Sequence, residues 1–174
     1  MFQSITAEDI PAIVDLMNRA YRGTGSTASW NTEADFIAGD RTTADLLRQE
    51  LLAKPDASFL KWIETPDAAP IGCVLLQPET EETWYLGSLA ADPDRQGGGL
   101  GRELLLGAED WVRHHGGTRV RMTVVNVRDT LIAWYLRRGY RLTGATEPFP
   151  YSDHRFGTPL RADLCFVVLE KLLA

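Results

Sequence analysis

Four glycines within five residues lie in the stretch DRQGGGLGREL, residues 94–104, where they could help to bind a phosphate group. A glycine inside a helix costs about 1 kcal/mol relative to alanine, so a glycine run that opens a helix-like apolar pattern needs a reason. A helix N-terminus carries unpaired N–H groups and a partial positive charge, and glycine lets an anion approach them closely. The pattern favours a phosphate or pyrophosphate site over a plain turn.

Two well-known phosphate-binding motifs do not fit this stretch. The dinucleotide fingerprint G-x-G-x-x-G needs a glycine where Arg102 or Leu104 stands, and the acidic residue expected about 20 positions later is absent from GTRVR. A P-loop needs a Gly-Lys pair, and the chain contains none. An unrelated nucleotide-binding protein is therefore disfavoured.

Two motifs resemble those of a known family. The segment Gln96-Gly-Gly-Gly-Leu-Gly101 fits the pattern Q/R-x-x-G-x-G/A and resembles the acyl-CoA-binding motif of the GNAT superfamily of N-acetyltransferases. The segment AWYLRRGY, which places Tyr135 four residues before Gly139, resembles the second signature of that superfamily. One position departs from the pattern: Arg128 stands where the superfamily often has asparagine, and Asn126 comes two residues earlier.

The resemblance implies that the cofactor is acetyl-CoA. Its pantetheine arm would lie between splayed strands at residues 83–91 and 119–125, and its pyrophosphate on the amides of residues 97–102. The implied cofactor-binding residues are Leu89, Ala90, Ala91, Gln96, Gly97, Gly98, Gly99, Leu100, Gly101, Arg102, Asn126 and Tyr135.

Two catalytic groups are implied by the same resemblance. The backbone amide of Leu89 would stabilise the oxyanion that develops on the thioester carbonyl. Tyr135 would protonate the leaving thiolate, because a tyrosine hydroxyl stays protonated at neutral pH. The helical pattern alone favours a packing role for Tyr135 in the core, and the family motif favours the proton donor.

The acceptor is expected to be a primary amine of a small molecule or peptide, acetylated directly in a ternary complex. Some superfamily members carry a glutamate base where this chain has Tyr85, so we expect deprotonation through ordered water. A non-catalytic CoA-binding sensor of the same fold is the alternative. The residues assigned to acceptor binding are polar or aromatic: Tyr21, Trp30, Glu33, Tyr85, Tyr151, Asp153 and His154.

Hydrophobic periodicity predicts the elements that must position these residues. Apolar residues recur at helical spacing in four segments, and alternating or short apolar runs indicate six to seven strands, the first at residues 2–6. The expected fold class is α+β: a mixed, bent, mostly antiparallel sheet flanked by about four helices, in a single domain over residues 1–174. A long loop at residues 145–162 separates the last two strands.

Composition limits the remaining function classes. A formal net charge of -6 and a pI near 5.1 argue against nucleic-acid binding. The sequence shows no membrane-spanning run and no targeting signal, so a cytoplasmic protein without a membrane partner is expected. Cys73 and Cys165 lie in apolar surroundings and indicate core positions, with no metal site. The sequence does not fix the oligomeric state; the resemblance makes a homodimer one option, since many members of the superfamily are dimers.

Overall fold

The predicted periodicities become four α-helices and one large sheet in the computed structural model, which describes residues 1–30 and 32–174. The helices are α1 (Ile10–Arg22), α2 (Ala44–Ala53), α3 (Leu100–His114) and α4 (Asp129–Leu136). The strands are β1 (Phe2–Ser4), β2 (Ile37–Ala38), β3 (Ser58–Trp62), β4 (Gly72–Pro78), β5 (Thr83–Ala91), β6 (Arg119–Val125), β7 (Arg141–Pro148), β8 (Thr158–Pro159) and β9 (Cys165–Leu172).

The large sheet has seven strands in the order β1-β3-β4-β5-β6-β9-β7. The β5–β6 pair is parallel, and the other neighbouring pairs of this sheet are antiparallel. The predicted α+β class with a mixed, mostly antiparallel sheet is therefore confirmed.

Alternation along β4 assigns the helices to opposite faces of the sheet. Cys73 and Leu75 belong to the apolar cluster formed with α1 and α2, whereas Val74 and Leu76 belong to the cluster formed with α3 and α4. Because successive side chains of a strand point to opposite faces, the sheet is buried on both sides. This explains why β4 is a continuous apolar run.

Two details differ from the sequence-based expectation. The first strand ends at Ser4 rather than residue 6, because Thr6 donates from its backbone N–H to Asp9 Oδ2 (2.8 Å) in the turn that precedes α1. Within the loop predicted at residues 145–162, β7 extends to Pro148 and the two-residue β8 pairs with β2. Strands this short leave no periodic signal, and a pairing between distant segments is not visible in local sequence.

The strands β5 and β6 separate after three paired positions. They pair only from Thr83↔Arg119 to Tyr85↔Arg121, although β5 continues to Ala91. On the other side of β5, the register with β4 shifts so that Ser88 and Leu89 stand opposite one residue. Ser88 has a φ of 48°, which is unusual for a residue other than glycine. A bulge bends the strand that carries it, so β5 curves away and leaves an opening beside residues 86–91.

A buried ionic cluster joins α3 to β9 and to Tyr140, which lies between α4 and β7. The Glu109 carboxylate is 1% exposed and accepts hydrogen bonds from Tyr140 Oη (3.0 Å) and from Lys171 Nζ (2.9 and 2.7 Å). A buried carboxylate is tolerated only when its charge and lone pairs are satisfied. The cluster therefore supports the packing of the helices that flank the opening.

Candidate active site

The glycine stretch forms a loop at the start of α3 whose backbone amides point away from the described hydrogen-bond acceptors of the chain. None of the N–H groups of residues 97–101 donates a hydrogen bond to a described residue, whereas those of Arg102 and Glu103 both bond Gly99 O (2.9 and 3.1 Å). Gly97 and Gly99 have φ values of 82° and 86°, in the left-handed region that favours glycine. The loop can therefore offer residues 97–101 to an anion, but the Arg102 amide is already engaged.

A groove with a cavity of about 410 Å³ lies over this loop. Most of the predicted cofactor residues line it: Leu89, Ala90, Ala91, Gln96, Gly97, Gly99, Leu100, Gly101, Arg102 and Tyr135. Gly98 is not part of the lining. The Gln96 side chain is bound to the protein itself, since it donates to Ala28 O (2.7 Å) and accepts from the Trp30 N–H (2.8 Å). Gln96 therefore holds the segment before residue 31 against the groove.

The structure does not place Asn126 in this groove. Its side-chain amide donates to Asp163 O and accepts from the Cys165 N–H, both at 3.0 Å. These bonds join the end of β6 to the start of β9. Asn126 therefore has a structural role here, and its contact with the cofactor stays a prediction.

The same groove is positively charged, because it is lined by Arg102, Arg137 and Arg138. Burial and the like charges of Arg137 and Arg102 lower the pKa of Arg138. Its guanidinium lies 3.6 Å from the ring centroid of Trp134, and its Nε is buried without a hydrogen-bond partner among the described residues. Sequence reasoning missed Arg137 and Arg138, although the Arg-Arg pair beside Gly139 was a visible signal. Together with the free amides, these cations suit a polyphosphate.

A second cavity, of about 370 Å³, lies next to the groove. Four residues line both spaces: Tyr21, Leu89, Leu131 and Tyr135. Tyr21 Oη donates to Leu89 O (2.9 Å), so the tyrosine is fixed against β5 where the opening begins. A molecule in the groove and a molecule in the second cavity would meet at this shared wall.

Tyr135 has the environment that a proton donor needs. Its side chain is 5% exposed, and burial raises the pKa of Tyr135 to about 12. Its ring packs edge-on against Tyr140 at 5.5 Å, and its hydroxyl is not hydrogen-bonded to any described residue. The hydroxyl therefore stays protonated at neutral pH and is available to another molecule.

The residues predicted for acceptor binding separate into two groups. Tyr21, Glu33, Tyr85 and Asp153 line the second cavity, whereas Trp30, Tyr151 and His154 do not. Trp30 lines the groove instead, with its ring 6.4 Å from that of Trp134. Tyr151 Oη accepts a hydrogen bond from the Leu164 N–H (2.8 Å), and His154 begins a short 3-10 turn. These three residues therefore lie outside the lining of the second cavity, and their contact with the acceptor stays a prediction.

Glu33 is engaged by two arginines. Its Oε2 accepts from Arg22 Nη1 (2.7 Å) and its Oε1 from Arg128 Nη1 (2.9 Å), and all three side chains are less than a tenth exposed. Arg22 also donates to the Phe156 carbonyl and so ties the 145–162 loop to α1. Arg128, the departure from the family pattern, thus links the start of α4 to Glu33.

The described residues contain no cluster of histidine, cysteine or acidic side chains that could hold a metal ion. No described helix is long and apolar enough to cross a membrane. Both cysteines are free; Cys73 is buried, as predicted, and Cys165 is partly buried.

Solved N-acetyltransferases share this fold. PaiA N-acetyltransferase from Thermoplasma acidophilum, solved in complex with coenzyme A, superposes with a TM-score of 0.69 at 17% identity, covering 99% of this chain and 98% of that one. The ribosomal-protein-S18-alanine N-acetyltransferase of Escherichia coli superposes with a TM-score of 0.68 at 17% identity, covering 100% and 94%. At these identities the likeness is one of fold.

Sequence comparison defines the family. Residues 11–140 match the model of the acetyltransferase (GNAT) family, and the chain belongs to that family of acyltransferase enzymes. An IAA acetyltransferase from Azospirillum brasilense is 30% identical over 121 residues, which cover 67% of this chain and 78% of that protein.

Proposed function

We propose that this enzyme transfers the acetyl group of acetyl-CoA directly to a primary amine of a small molecule or peptide. The observation that carries the proposal is the meeting of two cavities at Tyr21, Leu89, Leu131 and Tyr135. Direct transfer requires that both reactants be held together at one point. A wall shared by two spaces satisfies that requirement.

The groove fits coenzyme A. The five amides of residues 97–101, which donate to no described residue, and the cations Arg102, Arg137 and Arg138 can bind its phosphates. The curved segment of β5 at residues 89–91 offers a strand edge that is not paired with β6, to which the pantetheine amides can bond. When bound, acetyl-CoA supplies an activated thioester.

Two groups of the chain serve the transfer in this proposal. The Leu89 amide stabilises the carbonyl oxygen as it gains negative charge. The Tyr135 hydroxyl donates its proton to the departing sulfur. Because the pKa of Tyr135 is raised, the hydroxyl is protonated at neutral pH before the transfer. Tyr21 contributes by holding the Leu89 carbonyl, and thereby the orientation of the adjoining backbone.

The acceptor amine loses its proton to water in this mechanism. Each carboxylate that lines the second cavity has a basic partner: Glu33 with Arg22 and Arg128, Glu50 with Lys54, Glu147 with Arg121, and Asp153 with Arg155. The Arg155 side chain holds the pKa of Asp153 at about 2, far below that of a useful base. Deprotonation through ordered water, expected from the presence of Tyr85, therefore remains part of the proposal.

A CoA-release screen across amine classes tests the function. We expect release of free thiol from acetyl-CoA only when an amine is present, with formation of the acetylated amine by mass spectrometry. The melting temperature should rise with CoA but not with ATP or NAD. CoA binding without release by any amine would favour the sensor alternative. A cytoplasmic location, a homodimer and a single domain stay predictions.

A further inference from the structure

Arg41 is the basic residue of the second cavity whose charge no described carboxylate balances. The carboxylates that line the cavity are all paired with other cations, and Arg41 forms no ion pair with a described residue. Its Nη1 atom is buried and has no hydrogen-bond partner among those residues. A buried donor without an acceptor costs free energy that binding of an anion would recover.

The position of Arg41 is built by the fold. Asn18 Oδ1 accepts hydrogen bonds from the backbone N–H groups of Arg41 (2.7 Å) and Thr42 (3.2 Å), and Asn18 itself is 8% exposed. The guanidinium carbon lies 5.3 Å from the Tyr21 ring centroid and 5.0 Å from that of Phe156. These rings fix the guanidinium without occupying its N–H groups.

Neighbouring arginines increase the positive charge around Arg41. Burial and the like charge of Arg41 both lower the pKa of Arg22, which the Glu33 carboxylate opposes. Glu33 already serves Arg22 and Arg128. Among the described residues, three guanidinium groups thus lie at this end of the cavity, and its one buried carboxylate pairs with Arg22 and Arg128 but not with Arg41.

This cationic end lies close to the wall that the two cavities share. Arg41 lies against the ring of Tyr21, and the hydroxyl of the same tyrosine bonds Leu89 O. An anion held by Arg41 would therefore lie one tyrosine side chain from the strand position where we place the transfer. A small acceptor could reach from one to the other.

We propose that Arg41 binds a carboxylate of the acceptor, so that the substrate class is amines that also carry a carboxylate, such as amino acids. The planar guanidinium fork matches a carboxylate in two parallel hydrogen bonds. The aromatic walls formed by Tyr85, Phe149 and Phe156 suit an apolar body between the two groups. This inference rests on the proposed function for the identity of the second group as an amine.

The test measures binding without turnover. N-acetylated alanine, leucine and phenylalanine, each beside its own C-terminal amide, are titrated by calorimetry into the protein with CoA present. The proteins are wild type, Arg41→Met, Arg41→Lys and the control Arg48→Met, which removes an exposed arginine of α2 that pairs with Asp45. Thermal melts confirm that each variant is folded.

We expect the wild type to bind at least one carboxylate about tenfold or more tightly than its amide, a difference of about 1.4 kcal/mol. Arg41→Met should reduce this ratio to near one, Arg41→Lys should retain part of it, and Arg48→Met should retain all of it. Lysine keeps the charge but not the fork, so it also reports on Arg41 if the methionine variant is unstable.

Equal affinity of carboxylate and amide throughout the panel, no binding by any carboxylate, or an unchanged ratio in Arg41→Met would overturn the inference. Its failure is separable from that of the proposed function. A protein that acetylates plain amines but shows no carboxylate preference contradicts the inference alone. A protein that prefers carboxylates but releases no CoA to any amine contradicts the proposed function alone.

Discussion

Two glycines of nearly identical conformation allow a test of the phosphate loop. One lies in the loop, and the other controls for the backbone strain that a side chain would cause. Gly99 precedes α3 with a φ of 86° and lines the groove, whereas Gly116 follows α3 with a φ of 85° and lines neither the groove nor the second cavity. A Cβ at either position would meet no atom within 4 Å. Alanine should therefore cost each site a similar backbone strain of about 1–2 kcal/mol.

Only the Gly99 variant should lose cofactor affinity. The Cβ of Gly99→Ala would stand in the open space beside the free amides, where we place the pyrophosphate. We expect CoA to bind at least tenfold more weakly, which is about 1.4 kcal/mol, while Gly116→Ala binds CoA like the wild type.

A third variant separates affinity from stability. Gly101 lies inside α3, and its Cβ would stand 3.6 Å from Trp134 Cζ2, an ordinary contact. Gly101→Ala should leave stability unchanged or raise it by up to about 1 kcal/mol, because alanine favours the helix, yet it should weaken CoA. Calorimetry gives the affinities and urea unfolding the stabilities. Wild-type CoA affinity in both groove variants, or an equal loss in Gly116→Ala, would refute the phosphate site.

Three further predictions concern chemistry and stability. Tyr135→Phe should lower kcat by about 100- to 10,000-fold with little change in the KM for acetyl-CoA, whereas Tyr140→Phe should lower stability; a normal kcat in Tyr135→Phe would make Tyr135 a packing residue. The rise of kcat/KM with pH should follow the pKa of each acceptor amine. Because the pKa of Tyr135 is about 12, loss of its proton should cause no fall in kcat/KM below that pH. One acceptor-independent pKa near neutrality would reveal a protein base. Glu109→Gln should lower the free energy of unfolding by about 2–3 kcal/mol, because it removes the negative charge that balances the ammonium group of Lys171. A loss below about 0.5 kcal/mol in urea unfolding would contradict the structural role of this cluster.

Sequence alone was sufficient for features that depend on neighbours along the chain. The four helices follow from apolar residues at helical spacing, and the glycine loop follows from its place between a strand pattern and a helix pattern. The spacing of Tyr135 and Gly139 places the tyrosine in the last turn of α4, one residue before the helix ends. These features are local, so a linear pattern can predict them.

Tertiary structure decided which side chains meet. Glu33 and Arg128 lie 95 positions apart and form a buried ion pair. Asn126, two residues before Arg128, instead accepts a hydrogen bond from the Cys165 N–H at the start of β9. Arg41 is a surface-like arginine in sequence, and only the approach of Tyr21 and Phe156 makes it a partly enclosed cation. Charge pairing between distant segments depends on distance and burial in three dimensions, because Coulomb attraction and desolvation act through space. No periodicity or spacing along the chain contains that information.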